Sequence, residues 1–203
     1  MYHIANDKRQ QATAEKIREG LKDCLHVKNM TEITVSDIAA AAGVSRSTFY
    51  RSFDMPLDVL SYACNQVFDM IIRDFSKVEL EDADDFILYC LRYWKKHTDI
   101  LDAAVNCDRL DIVQTALENH SDRFIGDFIS LVRKDFTEAE IEYITMGVIG
   151  LISNLLVVWI RHGKKESPEQ LFELYLKCRE ILVDFHRGPL PNIGSEVATA
   201  MPR

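Results

Sequence analysis

One stretch constrains this chain more than any other: residues 34–53, TVSDIAAAAGVSRSTFYRSF. Thr34 followed three positions later by Asp37 predicts the opening of a short helix. The hydroxyl would accept the Asp37 amide while the carboxylate reaches back, with Asp where Glu or Gln is usual. Val35, Ile38, Ala39 and Ala42 give that helix an apolar stripe. Gly43 stands where a left-handed C-cap is needed. Ser45 then caps a second short helix, running through about Phe53 and turning Val44, Phe49 and Phe53 inward. The alanine run 39–42 lets two helices approach closely. The pattern is that of a helix-turn-helix.

The outward face of the second helix offers Ser45, Arg46, Ser47, Thr48, Tyr50 and Arg51, with no acid among them. Short hydroxyls and planar cationic heads can approach both base edges and phosphates. A helical hairpin with a merely solvated polar face is the bland alternative. The acid-free face, the glycine at the turn and the N-terminal position favour nucleic acid.

At this point the segment resembles the DNA-binding domain of the TetR family of bacterial transcriptional regulators. The matching residues are Thr34, Ile38-Ala39, Ala42-Gly43-Val44-Ser45, Thr48-Phe49-Tyr50 and Phe53. The resemblance covers roughly residues 10–70, and beyond them only the all-helical architecture is shared. It implies a homodimer that places its two recognition helices in successive major grooves, 34–36 Å apart. By position it implies that Thr34 and Ser36 reach phosphate, that Tyr50 bonds phosphate, and that Ser45, Arg46, Ser47 and Arg51 lie near base edges or backbone. Gly43 and Thr48 complete the DNA-binding set. Two departures stand out: Ser52 where the family often has His, and Pro56 where it often has a phosphate-gripping Lys. Each lost phosphate contact lowers affinity and its salt dependence. The alternative reading is therefore a TetR-like regulator that acts through a protein partner, with weak or no autonomous DNA binding.

Charge is divided in the same sense. The whole chain carries a formal −8, which speaks against a protein that coats nucleic acid by bulk positive charge. Residues 1–55, however, hold eight Lys/Arg and seven Asp/Glu, a net of +1, and the remaining 148 residues hold 16 and 25, a net of −9. The expected organisation is a helix-turn-helix domain over 1–55, a helical ligand-binding and dimerisation domain over 56–187, and a mobile tail over 188–203. Pro56 fits the first position of a long helix. Further amphipathic helices are predicted over 82–96, 99–109, 111–135, 137–162 and 168–186. The fold expected is thus all-α: an N-terminal three-helix domain plus a larger helical bundle, about nine helices in total.

Within the larger domain, the apolar stretch 143–160 is just long enough to span a bilayer. Thr145, Ser153, Asn154 and two glycines interrupt it, so a buried or interfacial helix is expected and no membrane partner. Val148, Ile152, Leu155 and Trp159, with Leu174, Cys178 and Ile181 from the last helix, are the expected dimer contacts. Tyr89, Cys90, Tyr93, Trp94, His97 and Asn106 mix aromatic, thiol and polar groups and are the expected lining of a pocket for an unidentified small-molecule effector. Tyr93 and His97 should share a helix face. Five cysteines without a CxxC pair, and no secretory leader pattern, point to free thiols in the cytoplasm. No HExxH, GxSxG, GxGxxG or P-loop occurs. The expectation is accordingly a regulator and not an enzyme, a repressor with double-stranded DNA, a second copy of itself and an effector as partners, and with no metal or cofactor.

Overall fold

The computed structural model describes residues 2–4, 7–75, 77–78, 82–120, 123 and 136–185. Among the described residues there are nine α-helices, one 3-10 turn at Met30–Glu32 and no strand. The helices are α1 (Lys8–Leu25), α2 (Val35–Ala41), α3 (Arg46–Phe49), α4 (Pro56–Phe75), α5 (Ala83–Lys96), α6 (Thr98–Asn106), α7 (Leu110–Glu118), α8 (Glu138–Arg161) and α9 (Pro168–Phe185).

The first three helices form around α1, which buries Ala14, Ile17, Leu21 and Cys24. At the start of α2 the Thr34–Asp37 box forms as expected, with reciprocal bonds of 3.2 and 2.9 Å. Its end is a Schellman turn. Gly43 sits at φ +63°, its N–H donates to the Ala40 carbonyl, and the Val44 N–H donates to that of Ala39. Ser45 caps α3 by accepting the Thr48 N–H at 3.1 Å. Phe49 and Phe53 are fully buried, and each such ring contributes about 1.5–3 kcal/mol. The alanine run also meets α1 closely. A Cβ at Gly20 would stand 2.8 Å from both the Ala42 nitrogen and the Ile38 oxygen, so the tight contact is α1 on α2.

Regular α3 is shorter than expected, ending at Phe49 and continuing as turns to Ser52. Pro56 opens α4, and the Asp58 carboxylate accepts the Asp54 and Met55 N–H groups at 2.9 and 3.2 Å, satisfying donors at its start. The helix belongs to both halves of the molecule. Near its start Tyr62 Oη donates to Glu15 of α1 at 2.6 Å, while its later turns pack on α7.

Two turns set the arrangement of the larger domain. Asp108 adopts φ +54°, and the Arg109 N–H returns to the Ala104 carbonyl at 2.9 Å. This stops α6 at Asn106, short of the expected 109. Gly163 (φ +79°) and Lys164 (φ +57°) form the turn between α8 and α9, with the Lys164 N–H bonded to the Trp159 carbonyl. Lys164 also pairs with Asp102 of α6. Helix α9 lies on α5, tied by Arg179–Asp84 at 2.5 Å and Arg92–Glu169 at 3.0 Å. Of the helix expected over 111–135, Leu110–Glu118 is observed, and residues 121, 122 and 124–135 lie outside the described residues. The expected tail, 188–203, lies outside them too.

Candidate nucleic-acid interface and effector cavity

Around α3 the expected contact residues divide by geometry. Gly43, Ser45 and Thr48 shape the turn: the Ser45 hydroxyl meets those of Ser47 and Thr48 at 2.8 Å each. Arg46, Ser47, Tyr50 and Arg51 are exposed, Tyr50 to 47%. Among the described residues no acidic side chain pairs with Arg46 or Arg51, so both guanidinium groups are available to an anion. Thr34 is committed locally, since its hydroxyl donates to Asp37 at 2.8 Å. That leaves Ser36 as the uncommitted hydroxyl at the start of α2.

Two elements of this surface escaped the sequence reading. The first is Lys28, whose ammonium bonds Asp37 at 2.8 Å. With the Thr34 groups, it holds the Asp37 carboxyl down to about 2, keeping it ionised while cancelling its charge beside the interface. The second is the N-terminal arm. The His3 N–H donates to the Ser52 carbonyl at 2.8 Å, and the His3 ring lies 3.2 Å from Asp54. The Gln10 amide donates to the carbonyls of His3 and Arg51 at 2.7 and 3.2 Å. The Tyr2 ring packs on Phe53 and Tyr62, and burial raises its hydroxyl pKa. Ser52, the departure from the family pattern, is 1% exposed beneath this arm and its hydroxyl accepts from Gln10. A small hydroxyl side chain fits that seam.

In the larger domain a cavity of about 90 Å³ opens between α4, α5, α6, α7 and α8. Phe68, Ile71, Ile87, Leu101 and Val113 are among its walls, with Gln114, Ser153 and Asn154 as its polar groups. Of the six expected lining residues, Cys90 and Trp94 line it. The other four lie outside, which corrects the expectation. Tyr89 and Tyr93 turn toward the later part of α4 instead, their hydroxyls donating to the Ile71 carbonyl and to Asp74. His97 follows them, its ring stacked on Tyr93 with centroids 4.8 Å apart, and burial lowers its pKa. Asn106 is exposed at the end of α6. Burial pushes the Cys90 thiol up to about 12, and Cys64 likewise, so both are protonated and poor nucleophiles.

The expected dimer contacts also divide. Trp159 is 2% exposed: its indole N–H donates to the Glu166 carbonyl at 3.0 Å and Lys95 lies over its ring. It is part of this chain's own core, a correction to its expected role. Val148 and Ile152 line the cavity, and Leu155 and Cys178 are half-buried. Leu174 and Ile181 remain outward on α9, Ile181 61% exposed, alongside Tyr143, Met146 and Val158 of α8. By length and composition α8 is long and apolar enough to cross a membrane. In this fold Leu156, Val157, Trp159 and Ile160 anchor its last turns in the core.

Two family models match the chain: residues 17–54 match one for bacterial regulatory proteins of the tetR family, and residues 81–178 match one for a transcriptional regulator C-terminal region. Similar solved structures include a tetR-family transcriptional regulator from Streptomyces coelicolor (16% identity, TM-score 0.62, 88% of this chain and 84% of that one). The fatty acid degradation regulator FadR from Bacillus halodurans superposes at TM-score 0.59 with 16% identity, over 87% and 97% of the two chains. The dihydroxyacetone kinase operon activator DhaS does so at 0.57 with 22% identity, over 85% and 94%. At these identities the likeness is one of fold. No curated protein is detectably similar in sequence.

Proposed function

Since the chain belongs to the TetR family of bacterial transcriptional regulators and carries its DNA-binding helix-turn-helix, we propose that it is a cytoplasmic homodimer that represses transcription from its operator and releases it on binding an effector. The observation that carries this reading is the exposed, acid-free face of Arg46, Ser47, Tyr50 and Arg51. A dimer seated on a promoter excludes polymerase, and repression is the simplest outcome. The fold also serves an activator, the dihydroxyacetone kinase operon protein, so operator position decides the sign.

The outward apolar residues Leu174 and Ile181 of α9 and Val158 of α8 are the surface assigned to the second copy. Helix α4 is the coupling element. Phe68 and Ile71 near its end line the cavity, while its first residue follows closely on Phe53 of the reading head. An effector that prefers one packing of α4 changes the distance between the two recognition helices, and with it operator affinity, by its differential affinity for the two states. No catalytic step belongs to this reading.

Replacing Arg46 and Tyr50 together by Ala tests it in a mobility-shift assay with the DNA flanking the protein's own gene. The double variant is expected to lose about 3 kcal/mol, roughly a hundredfold in affinity, while remaining dimeric by light scattering. Unchanged affinity sinks the assignment. The second reading, action through a protein partner, is favoured by Thr34 being tied to Asp37 and by Pro56 in place of a lysine. It predicts no shift of the wild-type chain alone at either 50 or 200 mM salt, on the order of the range over which phosphate contacts are tested.

A further inference from the structure

We propose that the cavity between α4, α5, α6, α7 and α8 takes an uncharged, compact and largely apolar molecule with one hydrogen-bonding group. The inference rests on the reading of the larger domain as effector-responsive and names the class of effector.

Chemistry of the walls carries the argument. Among the described residues that line the cavity, none bears an Asp, Glu, Lys, Arg or His side chain. An ion entering such a space loses its water and meets no counter-charge among the described residues, a penalty that disfavours carboxylates and ammonium groups. Behind Phe68, Asp69 is already shared by His120 at 3.3 Å and Arg123 at 3.1 Å. Cys90, which does line the cavity, is held as a neutral thiol by burial.

Among the described residues, the polar groups in the lining are those of Gln114 of α7 and of Ser153 and Asn154 of α8. Gln114 and Asn154 are exposed, which places the mouth beside them, and Ser153 is half-buried between mouth and apolar floor. One N–H of the Asn154 amide is spent on the Gly150 carbonyl at 2.8 Å. Ser153 and Gln114 have no hydrogen-bond partner among the described residues and are the groups a ligand hydroxyl would meet. Size sets the rest. A dry apolar cavity of about 150 Å³ accepts benzene. A space of about 90 Å³ with an open mouth fits an apolar body no larger than one aromatic ring.

Calorimetric titration of the full-length protein with four probes of one ring size tests this: p-cresol, toluene, benzoate and benzylamine. p-Cresol is expected to bind at least 30-fold more tightly than benzoate or benzylamine, on the order of the loss from desolvating an unpaired charge. Ser153→Ala is expected to weaken p-cresol about fivefold and leave toluene unchanged, the signature of one hydrogen bond. Val113→Phe fills the space and abolishes binding of both. If that variant does not fold, the Ser153→Ala comparison still decides.

Benzoate or benzylamine binding as tightly as p-cresol, with the same response to Val113→Phe, would overturn the uncharged class and leave an effector site standing. No binding of any probe at millimolar concentration, or p-cresol binding indifferent to both variants, would overturn the site itself. If p-cresol binds as expected but operator affinity does not move, the inference stands and the effector-controlled reading of the protein fails.

Discussion

The reading head and the larger domain are built on opposite plans. In the head, the functional groups point outward and short-range bonds fix the backbone that presents them. Asp37 locks Thr34, Gly43 turns the chain, and Ser45 caps α3, each within a few residues. In the larger domain the features of interest face inward, and helices distant in sequence shape the cavity: Phe68, Trp94, Val113 and Ser153 come from four different elements. The difference teaches where each region is vulnerable. Local codes make the head sensitive to backbone conformation and to charge. The larger domain is sensitive to volume.

The largest expected effect tests the volume side. Trp94→Ala removes a buried indole from the cavity wall and is expected to cost about 3–5 kcal/mol of stability. The fraction that stays folded should bind operator within about threefold of wild type, because the head's local bonds survive. Chemical denaturation and mobility shift measure the two. A large loss of affinity in the folded protein would break the division and show α4 transmitting the packing defect.

Gly20→Ala probes the backbone side with a single methyl. Its Cβ would press on two backbone atoms of α2 that have no side-chain freedom to yield. Destabilisation of about 2–3 kcal/mol is expected, together with at least a tenfold loss of operator affinity as α2 and α3 shift. A variant as stable and tight-binding as wild type would show that α1 and α2 slide freely.

Lys28→Ala should have the smallest effect and sharpens the charge argument. The folded-state pKa of Asp37, about 2, lies below its ordinary 3.8. Its stabilising contribution is therefore present above pH 3.8 and is lost as pH falls through about 2. Without Lys28 the pKa should climb part of the way back, the Thr34 groups retaining the remainder, and NMR titration reads the change. An uncompensated carboxylate beside phosphate should weaken operator binding by about two- to threefold at low salt.

The same contrast explains what was legible in the sequence. Caps at Thr34 and Ser45, the left-handed Gly43 and the opening Pro56 are local signals, and each is where its neighbours predict. The early end of regular α3 is not legible from spacing: the Arg51 and Ser52 N–H groups bond the carbonyls three residues back, Thr48 and Phe49, so the last turn tightens. The Arg51 and Ser52 carbonyls are then met from far away in the chain, by the Gln10 amide and the His3 N–H.

On α5 the periodicity correctly groups Tyr93 with His97. Spacing alone cannot say which face meets the cavity, and Phe86, Ile87, Cys90 and Trp94 are the α5 residues that do. Trp159 reads as one more apolar residue of an interfacial helix until the turn at Gly163 and Lys164 brings the Glu166 carbonyl onto its indole.

The arm also sets an order of events during synthesis. His3 and Asp54 stand 51 positions apart, although α1 can coil as soon as its own residues emerge. At about 5–20 residues per second the ribosome needs roughly 3–10 s to make the stretch between them. Throughout that interval the Tyr2 and His3 rings lack Phe53, Asp54 and Tyr62 to dock on. The arm is thus among the last parts of the head to settle, and a nascent chain stalled before Phe53 carries α1 without a finished reading surface.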